Sequence, residues 1–167
     1  MATFGAEVTR KMLGDAGEHY ALSRFTFSGK PAMKMPEGWR AYDLAVETGK
    51  GLARVSVKTR SGSVGWKNSK WFSFDDRKEC EWLVCIFQPQ TGAIRAWVIP
   101  MSVALFHANK PGPKRKEPHV RDISWVKLTK TPLSHFEDNW KMSVDIQAQQ
   151  GTPADGLASA SLRQARR

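Results

Sequence analysis

The sequence has 167 residues, the length of one domain and too short for two full domains. Hydrophobic residues make up 41% and charged residues 25%, so we expect a folded chain, and the lack of any run of about 18 apolar residues excludes a transmembrane helix. With 26 Lys and Arg against 16 Asp and Glu, the net charge is +10, which is typical of proteins with a polyanionic partner and also of merely soluble basic proteins.

The cysteines and the N-terminal residues indicate the cellular compartment of the protein. Cys80 and Cys85 are the only cysteines, and the second lies in an apolar run, so buried free thiols are expected rather than a disulfide or zinc site. Residues 1–14 lack the apolar stretch of a secretory signal. We therefore expect a cytoplasmic protein with no membrane partner.

The first predicted element is an amphipathic helix over about residues 9–25, where apolar residues recur at helical spacing. Gly14 and Gly17 weaken its middle, so the stable part is expected to begin near Asp15. Glu18 would lie on this helix.

A β-hairpin is predicted after a loop rich in proline and glycine. Residues 42–47 alternate apolar side chains with others, residues 48–51 form a tight turn, and residues 52–60 form the return strand. Asp43 lies on the first strand and Lys58 on the second.

The rest of the chain predicts further strands and short helices. Strands are expected at residues 70–74, 82–87 and 94–99 and at an edge strand 123–128, with helices at residues 75–79, 101–107 and 132 to about 146. Residues 151–167 carry almost no large apolar side chains and end in arginines, which predicts a disordered basic tail behind a single domain of residues 1–150.

Three of these elements carry residues suited to hydrolysis of a phosphodiester bond. Ser56 and Lys58 share one face of a strand, and Asp43 can join them across the hairpin. The carboxylates of Glu18 and Asp43 with the main-chain carbonyl of Val57 would supply the hard oxygen ligands that Mg²⁺ or Mn²⁺ takes. Lys58 would orient the attacking water and offset the developing charge.

At these residues the sequence resembles the PD-(D/E)xK nuclease superfamily, in its branch of small endonucleases and junction resolvases. The matching stretches are GDAGEHYAL, YDLAVE and RVSVKT, over about residues 14–60. The resemblance implies a restriction-endonuclease-like α-β-β-β-α-β core, with a mixed central sheet flanked by helices. It also implies Mg²⁺-dependent cleavage of DNA and catalytic roles for Glu18, Asp43 and Lys58.

The sequence departs from the family pattern at two positions. Tyr42 stands in place of proline, and Ser56 stands in place of the acidic residue of the (D/E)xK triplet. A neutral hydroxyl binds Mg²⁺ far less well than a carboxylate does. Two functions therefore follow: a metal-dependent DNA endonuclease, or a catalytically silent nuclease-fold module that binds nucleic acid or a protein partner.

Two basic segments are candidates for contact with the phosphate backbone. One flanks a Ser/Gly-rich loop and the other lies in a proline-rich loop, and the residues are Arg60, Lys67, Lys70, Lys114, Arg115 and Lys116. Trp39, Trp66 and Trp71 are candidates for stacking on an unpaired base, and of these Trp66 is singled out as the exposed one. Either loop can also be a plain solvated connection. Cleavage of both DNA strands by a chain with one site would require a homodimer.

Overall fold

Strands built from alternating and fully apolar segments organise the chain, of which the computed structural model describes residues 8–62 and 71–144. In chain order the elements are helix α1 (Arg10–Phe27), strands β1 (Ala32–Lys34), β2 (Leu44–Thr48), β3 (Gly51–Ser61), β4 (Trp71–Asp75), β5 (Trp82–Gln88) and β6 (Arg95–Pro100), helix α2 (Met101–His107), strand β7 (Val120–Ser124), helix α3 (Trp125–Leu128) and a 3₁₀ helix (Leu133–Phe136).

The main sheet is mixed and has five strands in the order β1-β2-β3-β5-β6. Strands β3 and β5 are parallel and the other neighbours are antiparallel, while β4 and β7 form a separate antiparallel pair. Strand β5 is buried from Trp82 to Phe87, as expected of a central strand with both faces covered. The predicted hairpin is confirmed, with Leu44 opposite Val55.

Each face of the sheet is covered by a different set of elements. On one face, Ala21 and Phe25 of α1 pack with Val55 and Val57 of β3. On the other face, α2, α3, the β4–β7 pair and the 3₁₀ helix pack around the buried Trp97. The molecule is thus a mixed α/β protein whose sheet is flanked by helices, as predicted.

Helix α1 begins earlier than predicted because its start is capped. The Thr9 hydroxyl accepts a hydrogen bond from the Met12 N–H at 3.2 Å, so the helix starts at Arg10 and not near Asp15. Gly17 is not a weak point, since a Cβ there would lie 1.8 Å from the Thr59 Oγ1 atom of β3. The glycine lets the helix approach the sheet closely.

Four local predictions are wrong. Strand β1 lies where a loop was expected, and in place of the helix predicted at residues 75–79 strand β4 ends at Asp75 and a turn follows. The strand predicted over residues 123–128 ends at Ser124, whose hydroxyl accepts from the Lys127 N–H and so starts α3. Of the helix predicted from residue 132, only one 3₁₀ turn forms, and residues 145–146 lie outside the described ranges.

The α-β-β-β-α-β core implied by the resemblance places a helix between the third and fourth strands of the main sheet, which are β3 and β5. The described part of the connection between them, residues 71–81, contains strand β4 and turns. Residues 63–70 of this connection are outside the described part of the chain, as are residues 151–167 of the predicted tail. None of the helices in the described ranges is long and apolar enough to cross a membrane.

Candidate active site

The Asp43 side chain is fixed where the pairing between β2 and β3 ends. Strand β3 continues beyond Val55, its last residue paired with β2. There the Asp43 Oδ2 atom accepts a hydrogen bond from the Val57 N–H at 2.6 Å and another from the Ser56 hydroxyl at 3.1 Å. The Asp43 N–H in turn donates to the Val55 carbonyl at 2.9 Å. Its Oδ1 atom accepts no hydrogen bond from any residue that the structure describes.

The Val57 carbonyl lies on the same side of β3 as Asp43. In a strand the N–H and C=O of one residue point to the same side, and the Val57 N–H points at the Asp43 carboxylate. A carboxylate oxygen and a main-chain carbonyl are therefore brought to one edge of β3. Both are hard oxygen donors.

Glu18 on α1 is held by a lysine that the sequence patterns did not reveal. Its Oε2 atom lies 2.9 Å from Nζ of Lys34 on β1, and Asp15 Oδ1 lies 3.4 Å from the same nitrogen. The hydrogen bond that Lys34 donates to Glu18 is the main reason that the pKa of Lys34 is raised. An exposed glutamate at this helix position would be ordinary, but the Glu18 side chain is only 22% exposed.

One cavity of about 370 Å³ is shared by Glu18, Lys34 and Asp43, and Val57 is not among the described residues that line it. It lies between α1, the end of β1, the turn that follows and Asp43, and it is lined by Lys11, Asp15, Glu18, His19, Lys34, Met35, Pro36, Glu37, Gly38, Trp39, Tyr42 and Asp43. The structure thus brings Glu18 and Asp43, two of the three predicted catalytic residues, to the same cavity.

Lys58 is not among the described residues that line this cavity. It lies on β3 beside the buried Ser56 and is itself partly buried. Burial lowers the pKa of the Lys58 ammonium, and attraction to the Asp43 carboxylate partly opposes that effect. Lys58 is therefore coupled to the site through Asp43.

The candidate phosphate-binding residues differ in how free their charges are. The Arg60 guanidinium donates to the Trp71 carbonyl at 2.8 Å and to the Thr59 carbonyl at 2.9 Å, so it ties β3 to β4. Arg115 forms an ion pair with Asp122. Within residues 8–62 and 71–144, neither Lys114 nor Lys116 takes part in an ion pair.

Three residues singled out from the sequence, Lys67, Lys70 and Trp66, lie outside the described ranges. Cys80 and Cys85 are buried free thiols, as expected, and burial raises their pKa values to about 11 and about 12. Neither thiol supplies a reactive thiolate at neutral pH.

The donor set suits a hydrated cation better than a closed metal site. Among the residues that the structure describes, no three or more His, Cys, Asp or Glu side chains are grouped closely enough to hold a metal ion. Mg²⁺ commonly keeps several waters and binds through one or two carboxylates. Asp43, Glu18 and the Val57 carbonyl are compatible with that mode, provided that Glu18 parts from Lys34.

No protein-family model matches the sequence, and no curated protein matches it. Among solved structures, a bacterial homing endonuclease, I-Ssp6803I, is similar, with a TM-score of 0.51 and 19% identity over 81% of this chain and 91% of that chain. A Holliday junction resolvase, Hjc from the archaeal hyperthermophile Archaeoglobus fulgidus, has a TM-score of 0.45 and 12% identity over 68% of this chain and 85% of that chain. The likeness to the homing endonuclease shows that this chain shares its fold.

Proposed function

We propose that the chain is a metal-dependent endonuclease that hydrolyses phosphodiester bonds in DNA. The observation that carries the proposal is the Asp43 carboxylate, which is anchored through one oxygen by Val57 and Ser56 and shares a cavity with Glu18. A carboxylate held in this way loses little freedom when it takes a cation or orients a water. The nuclease fold supports the same conclusion.

Mg²⁺ or Mn²⁺ would be held by Asp43, Glu18 and the Val57 carbonyl. When bound, such a cation neutralises charge on the phosphate and lowers the pKa of a coordinated water. The Ser56 hydroxyl donates to Asp43 Oδ2 and helps to fix the position of that carboxylate. Lys34 lies beside Glu18 and would turn toward the phosphate once Glu18 is engaged elsewhere.

Lys58 would act beside Asp43, whose carboxylate attracts its ammonium. Because burial lowers its pKa, Lys58 gives up a proton more readily than an ordinary lysine does. In its charged form it offsets the charge that develops on the phosphorane. Lys114 and Lys116 would bind the DNA backbone at a distance from the reacting centre, because their charges have no ion-pair partner in the described ranges.

A second function is favoured by two specific observations. Ser56 supplies a hydroxyl where the nuclease pattern has a carboxylate, and the Glu18 carboxylate is already paired with Lys34 at 2.9 Å. Both features reduce the negative charge available to a metal. They favour a nuclease-fold module that binds nucleic acid or a protein partner without cutting.

Cleavage of supercoiled, linear, single-stranded and branched DNA in Mg²⁺ and in Mn²⁺ separates the two functions. Asp43→Asn keeps the shape of the side chain and removes the charge, so it should abolish most cleavage, and Lys58→Ala should do the same. Binding should respond in opposite senses: in metal-free buffer Asp43→Asn keeps or raises DNA affinity, because a carboxylate repels phosphate, and Lys58→Ala lowers it modestly.

Glu47→Gln is the matched control, because it removes one exposed carboxylate from strand β2, which begins directly after Asp43. Its cleavage rate should equal that of the wild type. Wild-type protein that binds DNA but cuts none of these substrates with either metal would exclude the endonuclease and leave the binding module.

A further inference from the structure

Trp39 is an exposed aromatic side chain at the cavity that Glu18 and Asp43 line. Its side chain is 51% exposed, although tryptophan is usually well buried. Among the tryptophans in the described ranges only Trp71, at 41%, is also largely exposed, and Trp71 does not line this cavity. The exposed indole is thus placed at the candidate site.

The backbone beneath Trp39 is fixed by a tight turn. The Trp39 N–H donates to the Pro36 carbonyl at 3.1 Å, and Gly38 has a φ of 87°, which suits glycine at the third position of a type II turn. Glu37 in the same turn forms an ion pair of 2.8 Å with Lys11 of α1. The turn is therefore tied to the helix that carries Glu18.

The indole is also held from one side. Tyr42 meets it edge to face, with ring centroids 5.9 Å apart and the planes at 75°. Tyr42 itself packs against the core on the far face of the sheet, and it directly precedes Asp43. A half-exposed ring that is braced in this way has little conformational entropy left to lose on binding.

We infer that Trp39 stacks on an unpaired base of the DNA next to the phosphate that enters the cavity. This inference rests on the proposed function, and it names the class of substrate: DNA with an extrahelical or unpaired base. A base within a duplex has both faces covered by its neighbours, so only an unpaired base offers a face to an indole. A base that is already unpaired also avoids the cost of leaving the stack.

Equilibrium binding in EDTA tests the inference without any cleavage. The probes are three DNAs of one sequence: a perfect duplex, the same duplex with one extra 2-aminopurine in one strand, and the single strand. The full chain should bind the bulged duplex about 10-fold tighter than the perfect duplex, or more, since stacking of one base on an aromatic side chain has that magnitude. Emission from the 2-aminopurine should change on binding.

Three variants make the test specific to the ring. Trp39→Ala should lose the preference for the bulge and the change in emission, with affinity for the perfect duplex nearly unaltered. Trp39→Phe should keep part of both, because an aromatic face remains. Trp71→Ala, the matched control, should behave as wild type.

The inference is overturned if the wild type shows no preference for the bulge, if Trp39→Ala keeps it, or if Trp71→Ala loses it equally. Circular dichroism spectra of the variants that match the wild type confirm that they fold. A failure of the proposed function would look different, because a protein that never cuts DNA can still show the Trp39-dependent preference in EDTA. Cleavage without that preference would remove this inference alone.

Discussion

Ser56 supports Asp43 where the nuclease pattern places a second carboxylate. Its side chain is 1% exposed and its hydroxyl donates to Asp43 Oδ2 at 3.1 Å. A neutral donor stabilises one half-buried carboxylate, whereas glutamate would add a second negative charge beside it. In the protein as it stands, the charge available for a cation therefore comes from Asp43 and Glu18.

Ser56→Glu should make folding depend on a divalent metal. In EDTA the variant should lose roughly 2–5 kcal/mol of stability, because a carboxylate is buried next to Asp43 without a partner. Mg²⁺ or Mn²⁺ should restore much of the loss, and cleavage should rise above that of the wild type if the third carboxylate completes the site. Thermal melts with and without metal give the result.

Ser56→Ala is the control for Ser56→Glu, since it removes only one hydrogen bond and should cost about 1 kcal/mol in either buffer. If metal raises the melting temperature of Ser56→Glu no more than it raises that of the wild type, the carboxylate introduced at position 56 does not bind the cation.

Gly17 and Gly14 lie in the same helix and should respond oppositely to alanine. A Cβ at Gly17 would lie 1.8 Å from Thr59 Oγ1 and 2.8 Å from Thr59 Cβ, so Gly17→Ala must push α1 from the sheet and should cost about 1–3 kcal/mol. At Gly14 a Cβ meets nothing within 4 Å, so Gly14→Ala should stabilise by about 0.5–1 kcal/mol. Urea denaturation measures both, and equal effects would show that helix propensity alone is at work.

The helices and strands that were predicted correctly are those that a local pattern of apolar residues encodes. The hairpin was found because apolar residues alternate on both of its strands, and β5 because its apolar run is continuous. Strand β1 has only three residues between prolines, too short for a pattern to be seen. The predicted closing helix fails through contacts that are distant in the chain.

The residues after the 3₁₀ helix illustrate that failure. Asp138 and Met142 have φ angles of 52° and 57°, which no α-helix contains. The Asn139 amide donates to the Val98 carbonyl of β6 at 3.1 Å and to the Ser143 carbonyl at 2.9 Å, which fixes this irregular segment on the sheet. Apolar spacing in the sequence suggested a helix, but tertiary hydrogen bonds decided the backbone.

The candidate site was likewise predicted where the sequence carries a pattern and missed where distant contacts decide the structure. The resemblance to a nuclease family pointed to Glu18 and Asp43, and the structure brings both to one cavity. Lys34 was missed because its pairing with Glu18 joins β1 to α1 and leaves no local pattern. Trp39 was passed over in favour of Trp66, since only the fold reveals which tryptophan is exposed beside the carboxylates.

The proline-rich loop between α2 and β7 should contribute two phosphate contacts rather than three. Arg115 is paired with Asp122, whereas Lys114 and Lys116 are exposed. Lys114→Ala with Lys116→Ala should weaken DNA binding without changing sequence preference, and should flatten the slope of log affinity against log salt by about 1.8, at about 0.9 per phosphate on duplex DNA. Binding titrations at several salt concentrations measure the slope.

A second pair of lysines controls for net charge. Lys30→Ala with Lys50→Ala removes the same charge from another part of the surface, where both residues line a second cavity beside the β2–β3 turn. An equal change of slope in both double variants would mean that overall charge, and not the loop, sets the affinity.

For the whole molecule, the basic character belongs to the domain rather than to the last residues. Residues 151–167 contain three arginines and one aspartate, so they contribute +2 to the net charge of +10 and the remainder keeps +8. Within the described ranges, the members of the two clusters on the faces of the sheet lie between residues 20 and 142. Stability and most of the attraction to a polyanion should therefore survive loss of the C-terminal residues.

Deletion of residues 151–167, which lie outside the described ranges, tests that expectation. Apart from Leu157 and Leu162 the segment has no large apolar side chains, too little surface to hold it against the domain, so the melting temperature should stay within a few degrees of that of the full chain. The salt slope of DNA binding should fall by no more than about 2.7, because at most three cationic contacts are lost. A full-length variant with Arg163, Arg166 and Arg167 changed to alanine separates charge from docking: it should reproduce the change in slope. If deletion lowers the melting temperature by more than a few degrees while the alanine variant does not, the segment docks on the domain through its apolar side chains.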